Sequence, residues 1–225
     1  IEHLPNGRYA IRRSATMEKD QTYALYNLTQ EQLARTLMPV GEYSKDRIRE
    51  MADEIGLLVA HKPDSQDICF VPDGDYASFI ENTTDQVLPT GNFVTPEGKV
   101  LGKHKGIIHY TVGQRKGLGL ALGYPAFVLE IRPETNEVVI GTYEESLTYT
   151  VRANELNFMS VEQITEPVRI FAKIRYNHKG AWCTVERTGE DEIVCTFDEP
   201  IRAATPGQAV VLYDGEYVLG GGTIL

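Results

Sequence analysis

The sequence predicts an α+β chain that is mostly β, with a helical first part, a small β-rich middle and a C-terminal antiparallel β-barrel. Three observations lead to this fold class. Capped helical patterns occur in the first seventy residues, hairpin patterns follow, and short strand patterns separated by Gly, Pro and Asn turns occupy the remainder. We therefore expect three domains, which cover residues 1–73, 74–147 and 148–225.

The helical part contains three predicted helices. The first covers residues 19–26. The second begins after Thr29, which has Gln32 at the capping-box position, so that two unpaired backbone N–H groups would be satisfied. The third begins after Ser44 and carries apolar residues at helical spacing until Gly56 ends it.

The β-rich part is predicted from alternating patterns and turn residues. Two hairpins are expected, and their arms are 92–95 with 100–102 and 126–131 with 137–141. A short helix over 75–81 precedes them. The barrel strands named by the pattern are 169–176, 181–187, 192–197, 209–213 and 217–225. The glycine run 220–222 lies inside the last of these, so we interpret it as a barrel corner and not as a phosphate loop.

Composition places limits on the function. The chain has 225 residues, 42% hydrophobic and 24% charged, which is ordinary for a soluble globular protein. No uninterrupted apolar run approaches the ~18 residues of a membrane span, and no signal peptide is recognised at the start. The net charge of −10 argues against general affinity for polyanions. Three scattered cysteines fit a reducing cytoplasm, and Cys183 and Cys195 lie in strand patterns that predict buried fillers.

One segment departs from the acidic average. No Asp or Glu occurs between Gly98 and Leu129, whereas cations are frequent. They are Lys99, Lys103, His104, Lys105, His109, Arg115 and Lys116. The loop 113–119 combines glycines with Gln114, Arg115 and Lys116, which suits close backbone contact with an anion. A basic turn on a solvated loop explains the same pattern equally well.

The third cysteine, Cys69, lies in an apolar triplet with acidic residues on both sides. A thiolate is the reactive form of cysteine, and neighbouring carboxylates such as Asp67 and Asp73 would raise its pKa. The residues alone therefore leave Cys69 as either a nucleophile or a structural filler. The run 175–179 (RYNHK) presents a similar choice, since an aromatic and basic strand end either stacks on an unpaired base or forms a solvated turn.

Six segments extend over nearly the whole chain: 19–23 (KDQTY), 64–70 (DSQDICF), 102–106 (GKHKG), 110–119 (YTVGQRKGLG), 175–176 (RY) and 205–208 (TPGQ). Taken together, they resemble the bacterial tRNA-specific 2-thiouridylase family (MnmA/TrmU), and they follow that family's order. The segments around Cys69 and around Gln114–Lys116 are the longest and most specific of these.

The resemblance implies a sulfurtransferase that makes 2-thiouridine at the wobble position of the tRNA anticodon. In that family ATP, with Mg²⁺, adenylates the C2 oxygen of the uridine, and a persulfide on the cysteine matched by Cys69 delivers sulfur to C2. The family's ATP motif and first catalytic cysteine are not found in this sequence. We therefore interpret the chain as the later two-thirds of the enzyme, with a helical remnant of an ATP-pyrophosphatase-type α/β domain. We expect it not to thiolate tRNA unaided. The resemblance also implies a disulfide between Cys69 and the missing cysteine.

The same resemblance implies binding residues and partners. The expected tRNA contacts are Lys19, Asp20, Gln21, Arg175, Tyr176 and Gln208. Residues that would contact RNA or line the sulfur-transfer pocket are Lys103, Lys105, Gln114, Arg115 and Lys116. No metal ligands are predicted. The expected partners are the tRNA anticodon stem-loop and a sulfur-donor relay protein or cysteine desulfurase, with no membrane, for a cytoplasmic monomer. Two alternatives remain, a non-catalytic tRNA-binding module and a persulfide carrier to a protein partner.

Overall fold

The computed structural model describes residues 1–17, 20–62, 71, 75–84 and 89–225. The α-helices of this part of the chain are α1 (Gln30–Ala34), α2 (Lys45–Glu54) and α3 (Tyr76–Thr83). Its strands are β1 (Glu2–His3), β2 (Tyr9–Ala10), β3 (Gly91–Val94), β4 (Val100–His104), β5 (Phe127–Arg132), β6 (Glu137–Gly141), β7 (Leu147–Phe158), β8 (Val168–Lys173), β9 (Ala181–Gly189), β10 (Glu192–Arg202), β11 (Ala209–Asp214) and β12 (Tyr217–Ile224). Contacts divide the chain into two compact units, Ile1–Lys62 with Thr148–Leu225, and Pro63–Leu147.

A closed barrel forms the centre of the first unit. Its strands follow the order β10-β7-β12-β11-β8-β9, and each pair with an assigned register is antiparallel. Alternate residues of each strand point inward and form one apolar core, as expected for a small barrel whose interior is filled by side chains. Cys183 and Cys195 are both fully buried in this core, which confirms their prediction as fillers.

The first 62 residues pack against the outside of this barrel. Ile11, Tyr23 and Leu33 form a second apolar cluster with the outward side chains Val211 and Tyr213 of β11. Polar bonds fix the same contact. The Arg8 guanidinium donates to the carbonyl oxygens of Phe158 (2.7 Å) and Met159 (2.8 Å), and the Asn157 amide donates to those of Tyr26 (2.7 Å) and Leu28 (3.1 Å). These hydrogen bonds give partly buried carbonyl oxygens a partner across an otherwise apolar contact, so they fix the position of the first 62 residues on the barrel wall.

The predicted helix starts are confirmed where side chains cap them. Thr29 and Gln32 form the expected capping box of α1, and the Ser44 hydroxyl accepts from the Arg47 N–H at the start of α2. The helix predicted over 19–26 is wrong: among its described residues only a 3₁₀ turn forms, over Thr22–Leu25. Contacts outside a helical ladder fix this turn: the Asp20 carboxylate accepts from the Thr22 N–H, and the Tyr23 hydroxyl donates to the distant Ala209 carbonyl oxygen.

The second unit contains a four-stranded sheet in the order β4-β3-β6-β5. Both predicted hairpins are present, as the antiparallel pairs β3–β4 and β5–β6, and β3 lies parallel to β6 between them. Phe93, Tyr110 and Val128 belong to its core. His104 is buried at the edge of this core, where it accepts from the Gly106 N–H (3.1 Å) and lies 3.1 Å from the Asn136 carbonyl oxygen.

These observations confirm the predicted fold class, with a helical first part, a β-rich middle and a closed antiparallel barrel. The glycine run expected at a barrel corner lies inside strand β12. An added Cβ at Gly221 would overlap the Val210 carbonyl oxygen and lie 2.7 Å from the Tyr26 ring, so this strand position excludes any larger side chain. Among the described residues, no helix is both long and apolar enough to cross a membrane.

Candidate nucleic-acid interface

Two of the sequence-predicted site residues, Cys69 and Lys19, lie outside the described residues. The remaining ones fall into two groups. Asp20, Gln21, Arg175, Tyr176 and Gln208 belong to the first unit, and the basic residues of the 98–129 window belong to the second. Each group is described by itself.

Strand β8 organises the first group. Ile170 and Ala172 point into the barrel core, and Ile174 just after the strand does the same, so the alternate residues face outward. Lys173 is therefore on the outer surface, two residues before Arg175. Tyr176 follows and is 42% exposed, which leaves much of its ring available to a ligand.

The Tyr176 ring is supported by Tyr23. The two rings meet edge to face with their centroids 6.3 Å apart, a geometry that aromatic pairs favour. Tyr23 is itself fixed, because its hydroxyl donates to the Ala209 carbonyl oxygen at 2.8 Å. Burial raises the pKa of Tyr23 to about 12, so it is a neutral phenol at physiological pH. Gln208 precedes Ala209 and is exposed, which brings a third predicted residue to the same surface.

Asp20 has a structural explanation of its own. Its carboxylate accepts from the Thr22 N–H at 2.8 Å and lies 3.3 Å from the Arg13 Nε, and its side chain is only 7% exposed. The Arg13 guanidinium in turn lies over the Tyr213 ring, 4.6 Å from its centroid. Asp20 therefore ties the 3₁₀ turn to the barrel wall. Gln21 is exposed beside it and lines a groove of about 850 Å³.

His178 lies on the turn that follows Tyr176. Its Nδ1 is 3.4 Å from the Ile174 N–H and accepts from it. Burial, together with the positive charges of Arg175 and Lys173, lowers the pKa of His178 to about 4. The neutral imidazole is therefore the folded form above that pH, and His178 adds no positive charge to those of Lys173, Arg175 and Lys179.

This pKa predicts acid sensitivity. The folded-state pKa of His178 is below its ordinary value, so its contribution to stability is complete above pH 6.5 and is lost as the pH falls toward 4. Lowering the pH from 7.5 to 5 should reduce the free energy of unfolding of the wild type by about 2 kcal/mol more than that of His178→Asn, which has no group that titrates in this range at position 178. Urea unfolding of both proteins at the two pH values measures this difference. Equal losses in the two proteins would contradict the assignment.

The second group surrounds the hairpin β3–β4 and the loop 113–119. Lys103 and Lys105 are exposed on either side of the buried His104, as strand alternation requires. Arg115 and Lys116 are also exposed. Among the described residues, no carboxylate lies within 4 Å of any of these four cations. The segment 98–129 contains no Asp or Glu of its own, but an acidic side chain from outside it contacts one of its histidines. The Glu81 carboxylate, on α3, lies 3.2 Å from the His109 Nε2.

Gln114 has a different position from its basic neighbours. Its side-chain oxygen accepts from the Thr111 N–H at 3.0 Å, and its amide donates to the Lys116 carbonyl oxygen at 2.9 Å. Both ends of the side chain therefore stabilise the turn that presents Arg115 and Lys116. No group of three or more His, Cys, Asp or Glu side chains suited to a metal ion occurs in the described part of the chain.

Three family models match successive parts of this sequence. The tRNA methyl transferase HUP domain matches residues 2–73, the tRNA methyl transferase PRC-barrel domain matches 77–142, and the aminomethyltransferase beta-barrel domain matches 148–224. Together they extend over nearly the whole chain.

Curated relatives give the family its name. The tRNA-specific 2-thiouridylase MnmA of Lachnoclostridium phytofermentans is 63% identical over all 225 residues of the chain, which match 63% of that relative. The tRNA-specific 2-thiouridylases MnmA of Clostridioides difficile and Acetivibrio thermocellus are 52% and 53% identical over 97% and 96% of the chain, and 60% of each relative is matched. The chain belongs to the tRNA-specific 2-thiouridylase family. It spans about three fifths of the length of these relatives.

Membership in the 2-thiouridylase family confirms the resemblance from which the site residues were taken, and the residue roles themselves remain predictions. The sequence did not assign a site role to Arg13, Tyr23 or Lys173, whose side chains contact the residues of the first group. The sequence pattern does place Lys173 beside Arg175, because residues two apart in a strand lie on the same face. The support from Tyr23 involves residues about 150 positions away in the sequence, which no local pattern reveals.

Proposed function

We propose that this chain is the tRNA-binding and sulfur-delivering part of a tRNA sulfurtransferase that makes 2-thiouridine at the anticodon wobble position. Membership in the 2-thiouridylase family supports the reaction class. One observation carries the proposal further: residues predicted to contact tRNA lie next to the contacts of one buried side chain, Tyr23. Tyr176 packs edge to face on the Tyr23 ring, Asp20 accepts from the adjoining Thr22 N–H, and Gln208 precedes Ala209, whose carbonyl oxygen accepts from the Tyr23 hydroxyl. Such convergence is expected of a binding surface and not of isolated turns.

Tyr176 would stack on an unpaired base of the anticodon loop. Single-stranded bases are recognised by stacking on aromatic rings, and a ring already held by Tyr23 loses little entropy on binding. Arg175, beside it, would pair with phosphate oxygens. In the second unit, Lys103, Lys105, Arg115 and Lys116 would add phosphate contacts or line the sulfur-transfer pocket, with Gln114 supporting their loop.

Cys69 would carry the transferred sulfur as a persulfide. The terminal sulfur forms the new bond to C2 of the uridine as the activated C2–O bond breaks, and the S–S bond to Cys69 is then broken by a second thiolate. The resemblance assigns this second thiolate to a cysteine that is not in this sequence, with a disulfide to Cys69 as the result. The other cysteines of the chain are poor candidates. Cys183 and Cys195 are fully buried, and the hydrogen bond between their thiols, together with burial, raises the pKa of Cys195 well above its ordinary value.

ATP with Mg²⁺ is the cofactor that the family resemblance implies, and the described residues do not fit it. The starts of α1, α2 and α3 are occupied by the side chains of Thr29, Ser44 and Asp75, and the last of these is a carboxylate that would repel phosphate. The glycines of β12 are packed against other strands, and the loop 113–119 opens no helix. ATP binding is therefore assigned to no described residue of this chain.

The remaining partners follow from the chemistry. Sulfur would reach Cys69 from a relay protein or a cysteine desulfurase, because the proposed cycle consumes one persulfide sulfur for each uridine. We propose that the protein acts as a monomer in the cytoplasm, where its tRNA substrate is found.

Direct binding measurements test the RNA surface. We expect the chain to bind an anticodon stem-loop, and we expect Tyr176→Ala to weaken binding by about tenfold or more, which is the loss of one base stack. Tyr149→Ala is the matched control, because Tyr149 is an exposed tyrosine of β7 in the same unit. Fluorescence anisotropy with a labelled stem-loop measures both. Equal affinities of the two variants would contradict the proposed surface.

A further inference from the structure

Lys173 has an unusual environment for a lysine on the outer wall of a barrel. Its Nζ lies 5.7 Å from the centroids of both the Tyr23 and the Tyr176 rings, so that one ammonium contacts two aromatic side chains. The side chain is partly buried. Neither ring can replace the hydrogen-bond acceptors that an ammonium has in water, although both attract its charge.

No carboxylate in the described part of the chain lies within 4 Å of the Lys173 ammonium. The negative charge of Asp20 acts on it from further away, but that carboxylate already accepts from Arg13 and from the Thr22 N–H. Burial, and with it the positive charge of Arg13, lowers the pKa of Lys173, which means that its charge is incompletely compensated by the protein.

A purely structural lysine would be placed differently. Most partly buried lysines extend their charged end into water beyond an apolar surface or pair with a carboxylate. The Lys173 ammonium instead lies beside two rings, one of which belongs to the exposed Tyr176, two residues from Arg175 along the chain. The same strand therefore presents two cations next to one stacking platform, which is the combination found where single-stranded nucleic acids bind.

We propose that Lys173 is a further tRNA-binding residue, whose ammonium donates to a backbone phosphate adjoining the base that stacks on Tyr176. This inference rests on the proposed function, because it requires RNA at Tyr176. A phosphate oxygen would supply the acceptors and the negative charge that the protein does not provide. Binding would at the same time hold the Tyr176 ring between the base and the ammonium.

The salt dependence of RNA binding tests this role. Each phosphate contact releases counterions, so Lys173→Met should reduce the slope of log affinity against log salt by about 0.7 to 0.9 and weaken binding by roughly tenfold. Methionine keeps an unbranched apolar stem beside the tyrosine rings. Lys173→Arg should keep the wild-type slope. Lys62→Met is the matched control, because Lys62 is an exposed lysine of the same unit and lies in none of the segments proposed to contact RNA.

The outcomes separate this inference from the function on which it rests. A wild-type chain with no salt-dependent affinity for the stem-loop would contradict the proposed function itself. Wild-type binding with an unchanged slope in Lys173→Met, or with an equal decrease in Lys62→Met, would overturn the role of Lys173 alone. Thermal unfolding of each variant shows that the comparison is made between folded proteins, since a purely structural lysine would change stability without changing the slope.

Discussion

Cys69→Ser is expected to abolish 2-thiouridine formation when the chain is assayed within a protein of its relatives' full length. A serine hydroxyl does not carry a labile sulfur, so no sulfur can be delivered to C2 of the uridine. Binding of tRNA should change by less than about twofold, because the proposed stacking and phosphate contacts are made by other residues. Nucleoside mass spectrometry of the treated tRNA measures the product.

Cys195→Ala provides the control for this experiment. It removes a thiol that is fully buried in the barrel, and we expect a modest loss of stability with 2-thiouridine still formed. Continued thiolation by Cys69→Ser would refute the persulfide role and leave tRNA binding as the function of the chain. Loss of thiolation in both variants, with both folded, would mean that the assay does not distinguish the reactive cysteine from a filler.

Gly221→Ala is expected to produce a large loss of stability in the barrel. The new Cβ would overlap the Val210 carbonyl oxygen of the neighbouring strand and lie 2.7 Å from the Tyr26 ring. The overlap with backbone cannot be relieved by a rotamer change, so we expect a loss of about 3 kcal/mol. For a chain of this size that lowers the melting temperature by roughly 6 to 12 °C.

Gly189→Ala is the matched control in the same barrel. Its added Cβ would meet the Glu192 Cβ at 3.4 Å, which is an ordinary contact, and we expect a change below about 0.5 kcal/mol. Calorimetry of the two variants gives both values. Equal stabilities would show that β12 can move away from β11 and that the close packing of its glycines is not required.

Local chemistry made much of the fold predictable. Thr29 with Gln32, and Ser44, are side chains whose hydrogen bonds lie within one helical turn, so their positions follow from the sequence alone. The hairpin β3–β4 was equally clear, because its turn residues and alternating arms are contiguous. The turn over Thr22–Leu25 was not predictable, because the Tyr23 hydroxyl bonds to Ala209, far along the chain.

Strand β7 shows a second limit of local patterns. It was not named among the predicted strands, although it closes the barrel between β10 and β12. Its alternation is interrupted at Glu155, which has a φ of 50°. The Asp191 carboxylate accepts from the N–H groups of Glu155 (3.0 Å) and Leu156 (2.8 Å), so a distant side chain supports the irregular position.

The candidate site followed the same division. Tyr176 and Arg175 form a local aromatic and basic pair that the sequence presents directly, and their assignment to tRNA came from the family resemblance. The part played by Lys173 depends on two rings that the fold brings to it, Tyr23 from the first part of the chain and Tyr176 from its own turn. Such a residue is found only when the three-dimensional contacts are known.

The sulfur on Cys69 is the central claim, and it can be measured directly. The enzyme would be supplied with a sulfur donor, digested without reductant and analysed by peptide mass spectrometry. We predict one additional sulfur atom on the peptide that contains Cys69, removable by reductant and by incubation with substrate tRNA, and none on the peptides of Cys183 and Cys195. Active enzyme whose Cys69 peptide never carries that sulfur would contradict the account.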